Sequence, residues 1–340
     1  MIGYVAAAAV TLALAAWFAW ESRRRRTHPV TGGLHPDITL PFQQEFELYG
    51  NPFSHCSRKT RIVFAELGIA YQHHNIDLIE TGSYQTISPA YLKINPAGLV
   101  PCLLHHGHPV YESDEILRYA AAQTGPQAAR LVPDDPAARA SMQRWIDYAS
   151  LSSANPMGAR ATSAGGCVPG LTMPIFMTAI AYIPLRRILV GFLFHPDKKR
   201  PLFFCTARIL GIRRMLKIAP LREMITDSRE HMSRHLAALA AQLRESGGPW
   251  LVGAEYTLAD VSWSCVLQRL EETGWLAYFK SRQEFNEVEA YWQRLQERPS
   301  WRSAITDKAH PIIEQASRDL KLLLAQDAAV RQALWGIGAG

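Results

Sequence analysis

Apolar and polar positions change period several times along this chain, and the changes mark its parts. Residues 3 to 20 carry no charge, and eighteen helical residues span about 27 Å, close to the roughly 30 Å hydrocarbon core of a bilayer. At Phe46-Glu47-Leu48-Tyr49 apolar and polar residues alternate, which predicts a half-buried strand. Gly50-Asn51-Pro52 breaks it, Ser54 to Ser57 offers hydroxyls for a helix start, and Ile62, Val63, Ala65 and Leu67 form an apolar stripe that stops at Gly68. Further on, the pattern predicts a strand over 71–76, a short helix around Pro89 to Leu92 and a helix from Ser113 to Ala122. Between these two helices, Cys102-Leu103-Leu104 and Val110-Tyr111 form a hairpin around His105-His106-Gly107-His108. From Asp135 onward the pattern is helical. Thr257 caps one helix there with Asp260 reaching back, and Tyr256 is placed to staple onto Val261.

Composition sharpens this picture at two places. Trp17 and Trp20 cluster at one end of the first apolar run, and Arg23 to Arg26 follow at once. Aromatics and positive charge at that end predict a retained single-span anchor with its arginine end in the cytoplasm; an atypical export signal is the alternative. The net charge is +6, yet between Ser150 and Arg222 there are eleven Lys/Arg against the single acid Asp197. Within that stretch the run 171–204 is apolar and broken by Pro174 and Pro184. It fits either a helix in the plane of an anionic membrane surface or a core helix with a solvated basic side. No nucleic-acid module accompanies the charge. The five cysteines are odd in number and scattered, which argues against a disulfide framework and fits a reducing compartment.

The first helix start also carries the candidate chemistry, because a hydroxyl (Ser54) and a thiol (Cys56) lie two positions apart where a strand meets a helix N-terminus. Free N–H groups and partial positive charge at that end favour a thiolate. Three motifs occur in order: Leu48-Tyr49-Gly50 through Ser54-His55-Cys56-Ser57 to Arg61, Asn95-Pro96-Ala97-Gly98-Leu99-Val100-Pro101, and Glu112-Ser113-Asp114-Glu115-Ile116. Together they resemble the N-terminal domain of the glutathione S-transferase superfamily, in its Ser/Cys-type form. Gly-Pro-Trp-Leu-Val-Gly (248–253) before the Thr257 helix resembles that superfamily's C-terminal domain. The extended middle segment is similar to the membrane-anchored ganglioside-induced differentiation-associated branch.

The resemblance implies an α/β thioredoxin-like domain followed by an all-α domain, with glutathione as co-substrate. The layout expected is an anchor over 1–22, a basic Pro/Gly linker over 23–41 and the glutathione-binding domain over 42–125. The helical domain covers 126–325, with a basic apolar insertion at 156–222, and a tail covers 326–340. Ser54 would hydrogen-bond the glutathione sulfur, with Cys56 as the other catalytic candidate, either taking the thiolate role itself or forming a mixed disulfide with glutathione. Val100, before a cis Pro101, would pair its backbone with the cysteinyl part, and Glu112 and Ser113 would hold the γ-glutamyl end. Lowering a thiol from about 8.5 to about 6.5 needs roughly 2.7 kcal/mol, which one hydrogen bond to a charged acceptor and a helix N-terminus can supply.

Leu99 departs from the pattern, since many relatives place a polar side chain there toward the glycyl end. Metal is not expected, because the histidines at 73–74 and 105–108 have no carboxylate or cysteine at ligand spacing, and Tyr49 reads as core. The function expected is a membrane-anchored transferase, its globular part cytoplasmic, conjugating glutathione to an apolar electrophile. The alternative is a non-catalytic scaffold of the same fold at the membrane surface. Expected partners are membrane lipid (residues 3–20 and the 156–222 segment), the electrophile and, as the resemblance implies, a second copy of the chain unless the insertion blocks it, but not nucleic acid.

Overall fold

The computed structural model describes residues 1–125, 131–151, 158–281 and 285–336. The expected domain boundary at 126, the start of the insertion at 156 and the last four residues lie outside them. The N-terminal part runs α1 (Ile2–Arg24), β1 (Gly33–Leu34), β2 (Phe46–Gly50), α2 (His55–Leu67), β3 (Gln72–Asn75), β4 (Cys102–His105), β5 (His108–Tyr111) and α3 (Ser113–Gln123). The strands form one mixed sheet in the order β1-β5-β4-β2-β3, with β2 parallel to β3 and the other pairs antiparallel. This is a thioredoxin-like domain.

β2 is buried along its whole length, not on one face as the alternation predicts. Successive side chains point to opposite faces of a strand, and here both faces are covered. Leu48, Leu103 and Val110 join the main core with Ile62, Val63 and Leu117. Tyr49, Cys102, Leu104 and Tyr111 pack on the other side with Tyr91 and Ile76. Glu47 tolerates burial because its carboxylate accepts from the Gln43 and Gln44 amides, the Tyr49 hydroxyl and the His74 ring.

The segment expected as a free linker is docked. Gly33 and Leu34 pair with Tyr111 and Val110, while His28 N donates to Pro96 O and Leu40 N to Gly107 O.

The C-terminal part is helical: α4 (Pro136–Ala149), α5 (Ala164–Ala179), α6 (Leu185–Phe194), α7 (Lys199–Met215), α8 (Ala219–Glu245), α9 (Leu258–Glu272), α10 (Trp275–Lys280), α11 (Asn286–Glu297), α12 (Pro299–Ala304), α13 (Pro311–Gln326) and α14 (Ala328–Trp335). The predicted capping box at α9 is present. Thr257 and Asp260 cap each other's backbone, and Asp260 also accepts from Leu251 N and the Tyr291 hydroxyl. The expected tail is instead α14, which buries Val330 and Leu334.

The apolar stretch that fits either a membrane-surface helix or a core helix divides in two, one part for each reading. α5 is a core helix, buried along most of its length. Its glycines permit close packing: a Cβ at Gly165 would stand 2.0 Å from Ser150 O, and one at Gly170 2.1 Å from Ser228 Oγ. α6 and α7, by contrast, leave Leu185, Leu189, Leu193, Leu202 and Ile209 exposed, interleaved with exposed Arg186, Lys198, Lys199, Arg213 and Arg214.

The first apolar helix, α1, is long and apolar enough to cross a membrane and has none of its span buried. Its far end rests on α6, where Phe18 stacks on Phe194 at 5.7 Å and Trp17 meets the same ring edge-on at 6.2 Å. Arg25 lies over that ring at 4.9 Å and donates to Ile87 O.

Candidate active site

α2 begins as the sequence predicts. Ser54 has extended dihedrals, its hydroxyl accepts from Ser57 N at 3.2 Å, and Gly68 ends the helix in the left-handed conformation. Capping uses an acceptor lone pair of Ser54 and leaves its O–H free to donate. The Val100-Pro101 bond is cis. The loop before it is held by Tyr91 and Asn95, which both donate to Leu99 O. Neither the N–H nor the C=O of Val100 is hydrogen-bonded among the described residues. Glu112 stands at φ 67°, a strained value for a side-chain-bearing residue, immediately before the first residue of α3. Such strain concentrates at functional sites.

Two adjoining chambers meet at this place. The smaller, about 230 Å³, is lined by Cys56, Val100, Pro101, Glu112 and Ser113. The larger, about 490 Å³, is lined by Ser54 and Val100 together with Phe53, Tyr84, Met173 and Phe176. Cys56, Leu99, Val100 and Leu151 belong to both. All six residues singled out in the sequence thus come together, with Ser54 facing the larger chamber only. Leu99 is 48% exposed and sits where the chambers join.

Neither catalytic candidate carries a charge of its own at neutral pH. Burial pushes the Cys56 thiol up, while Lys59 and a hydrogen bond with Ser113 pull the other way without prevailing. Cys56 is therefore a thiol at neutral pH. Burial likewise raises the Glu112 carboxyl, helped by Asp114 and Glu115. Tyr49 is core, as expected: burial and its bond to Glu47 raise its pKa.

The polar residues of α2 are the part that the sequence conceals. The apolar stripe implies that Arg58, Lys59 and Arg61 are solvated, but all three are at most 4% exposed. Lys59 Nζ lies 2.9 Å from Asp114 and 3.3 Å from Ser150 Oγ. Arg58 grips Glu272 with both Nη atoms, and Arg61 donates to Ala304 O. Their partners lie 55 to 243 positions away, so no local pattern announces them. Spacing alone also hides a carboxylate next to the hairpin histidines: Glu45, His105 and His106 bring ligand atoms within 4.8 Å of one another. His105 there is stacked on Phe46 and hydrogen-bonded to Tyr119.

A thioredoxin-like domain with a cis-proline loop, joined to a helical domain across a two-chambered cleft, defines a protein of the glutathione-transferase type. Comparison with known proteins agrees. The family description "Glutathione S-transferase, N-terminal domain" matches residues 53–123, and "Glutathione S-transferase, C-terminal domain" matches residues 188–299. The human ganglioside-induced differentiation-associated protein 1-like 1 is 24% identical over 78% of this chain and 75% of its own length. Glutathione S-transferase F9 of Arabidopsis thaliana is 22% identical over 78% of this chain and 98% of its own. Among solved structures, the beta-etherase LigF from Sphingobium sp. strain SYK-6 aligns with a TM-score of 0.60 at 22% identity, over 78% of this chain and all of that one. A glutathione transferase homologue from sulfitobacter, solved with bound glutathione, aligns with a TM-score of 0.50 at 20% identity over 79% of this chain and all of that one. The chain belongs to the glutathione S-transferase superfamily, with features of its ganglioside-induced differentiation-associated branch.

Proposed function

We propose that this protein is a membrane-attached glutathione transferase. The observation that carries the reading is the meeting of the two chambers at the N-terminus of α2, beside Val100-Pro101 and Glu112-Ser113. Glutathione lies in the smaller chamber, its γ-glutamyl end at Glu112 and at the N-terminus of α3, where free N–H groups suit an α-carboxylate. Its cysteinyl part pairs with the backbone of Val100. The sulfur then points to the junction, where the Ser54 hydroxyl donates to it and the α2 N-terminus favours its negative charge. The thiolate attacks an electrophile held in the larger chamber. Its new bond to carbon forms as the leaving group departs with the bonding pair, or as the electrophile's π pair moves outward and takes up a proton. Catalysis is thiolate stabilisation plus orientation.

Cys56 is left as a neutral thiol and has no part in this step. α1 serves as the span, and the exposed apolar and basic residues of α6 and α7 rest on the lipid surface beside it.

Titration of the full-length protein with glutathione, followed by calorimetry, tests the core of the reading. Binding at millimolar glutathione or tighter is expected. No heat at that concentration refutes it and leaves a lipid-surface scaffold, for which the exposed α6–α7 face speaks.

A further inference from the structure

The larger chamber is not a plain apolar slot. Val168, Met173 and Phe176 form an apolar wall, but the chamber is also lined by charged and polar groups with some hydrogen-bonding atoms unmet among the described residues. Arg269 is 3% exposed. Its Nη2 donates to Phe53 O, and its guanidinium lies over the Phe53 ring at 3.8 Å. Glu272 is 3.8 Å from Nη1, beyond hydrogen-bond reach, and both its oxygens are taken by Arg58. Arg269 Nε and Nη1 therefore have no acceptor among the described residues. Burial, with Arg58 nearby, lowers its pKa to about 10 against the pull of Glu272, which leaves it charged at neutral pH.

The Tyr84 hydroxyl, lining the same chamber, has no partner among the described residues either. One oxygen of the buried Glu80 is taken by Arg200 at 2.5 Å and the other has none. Away from the rim, and apart from the Arg58–Glu272 pair, two guanidiniums thus face one carboxylate; Asp197 lies exposed at the mouth.

An unmet buried donor costs about 1–3 kcal/mol, and folded proteins keep few of them. Arg269 and Tyr84 both line the cavity, so a small turn of either side chain brings an unmet donor to a ligand's acceptor. We infer that the larger chamber takes a second substrate with an apolar body and a carboxylate, or a comparable oxyanion, seated on Arg269 and within reach of Tyr84. Its role as the electrophile's seat rests on the transferase reading; its preference for an anion does not. Glutathione itself carries a glycyl carboxylate, the other source of the same chemistry.

The test compares 4-phenylbutanoate with 4-phenylbutanamide by calorimetry on the full-length protein in nanodiscs, with empty nanodiscs subtracted. The acid is expected to bind at least roughly tenfold tighter, the worth of a charge-assisted hydrogen bond. Equal affinity overturns the inference. Saturating glutathione leaves the preference intact if the anion belongs to the second substrate. Loss of the preference on adding glutathione assigns Arg269 to the glycyl end and overturns the substrate class. Arg269→Gln abolishes the preference while sparing the amide, and Arg269→Lys retains part of it. The comparison on the unaltered protein stands even if these variants do not fold. A preference without any glutathione binding defeats the transferase reading and leaves this site standing.

Discussion

Lys59 and Asp114 form an ion pair of 2.9 Å that joins α2 to α3. Lys59 lies one turn beyond Ser54 and Cys56, and Asp114 directly follows Ser113, so the pair fixes the sulfur end of the cleft against the γ-glutamyl end. The lysine side chain is 1% exposed, and removing one partner of a buried pair strands the other charge. Asp114→Asn should lower stability by about 3–5 kcal/mol in urea titrations. Adding Lys59→Met to it should restore much of that loss, because no isolated ammonium is then left inside. A double variant no more stable than the single one would show that the pair is not what the site relies on.

Ser54→Ala should reduce kcat/KM for glutathione conjugation roughly 10- to 100-fold, the value of a hydrogen bond to a charged acceptor. It should also raise the pKa of the bound glutathione thiol, read from thiolate absorbance against pH. Cys56→Ala should change neither by more than a few-fold, since burial keeps that thiol protonated. The reverse pattern would transfer the role to Cys56.

Acid should weaken the fold in two stages. His55 is buried, and burial, then Lys59, Arg269 and Arg58, hold its pKa well below 6.5. The unfolded chain takes up a proton near 6.5 while the folded one does not, so stability is full above pH 6.5 and declines as pH falls below it. Each group contributes at most about 1.4 kcal/mol per pH unit. Burial pushes the Glu272 carboxyl up, but Arg58 and Arg269 outweigh it and hold it below 4.5. Its contribution is present above pH 4.5 and disappears below. Thermal midpoints should therefore fall from pH 7 to pH 5 and again below 4.5. Burial lowers His73, His105, His195, His235 and His310 as well, so His55→Gln should lessen the first stage without abolishing it and leave the second.

At the membrane, Lys198→Glu with Lys199→Glu should weaken binding of a chain lacking residues 1–25 to anionic vesicles by at least about tenfold, at about 1 kcal/mol per charge near the surface. Added salt should mimic the change. Both lysines are exposed, unlike Arg200, which is engaged with Glu80. Sedimentation with vesicles measures it, and unchanged binding would detach α6 and α7 from the lipid.

Much of this was legible wherever local rules suffice. The Ser54 cap, the Gly68 terminator, the Thr257–Asp260 box and the histidine hairpin are decided within a few residues, and each stands where the pattern puts it. The cleft's motif residues were legible through family resemblance, and the fold gathers them. What escaped depends on distant neighbours. Arg58, Lys59 and Arg61 look like a solvated face until Glu272, Asp114 and Ala304 arrive beside them. Arg269 reads as an ordinary helical arginine until Phe53 covers it. The apolar run over 171–204 hid a difference of surroundings: α5 is enclosed by other helices and α6 is not, and hydrophobicity alone does not separate the two.

The seat of Phe18 and Trp17 on Phe194 has a consequence for traffic. Phe194 adjoins His195, and Ile87, which receives Arg25, adjoins Thr86; both neighbours line the larger chamber. On the proposed topology the doorway of the cleft is thus held at one fixed height above the acyl chains. A greasy reactant dissolved there finds it by diffusing in two dimensions, while glutathione arrives from the water.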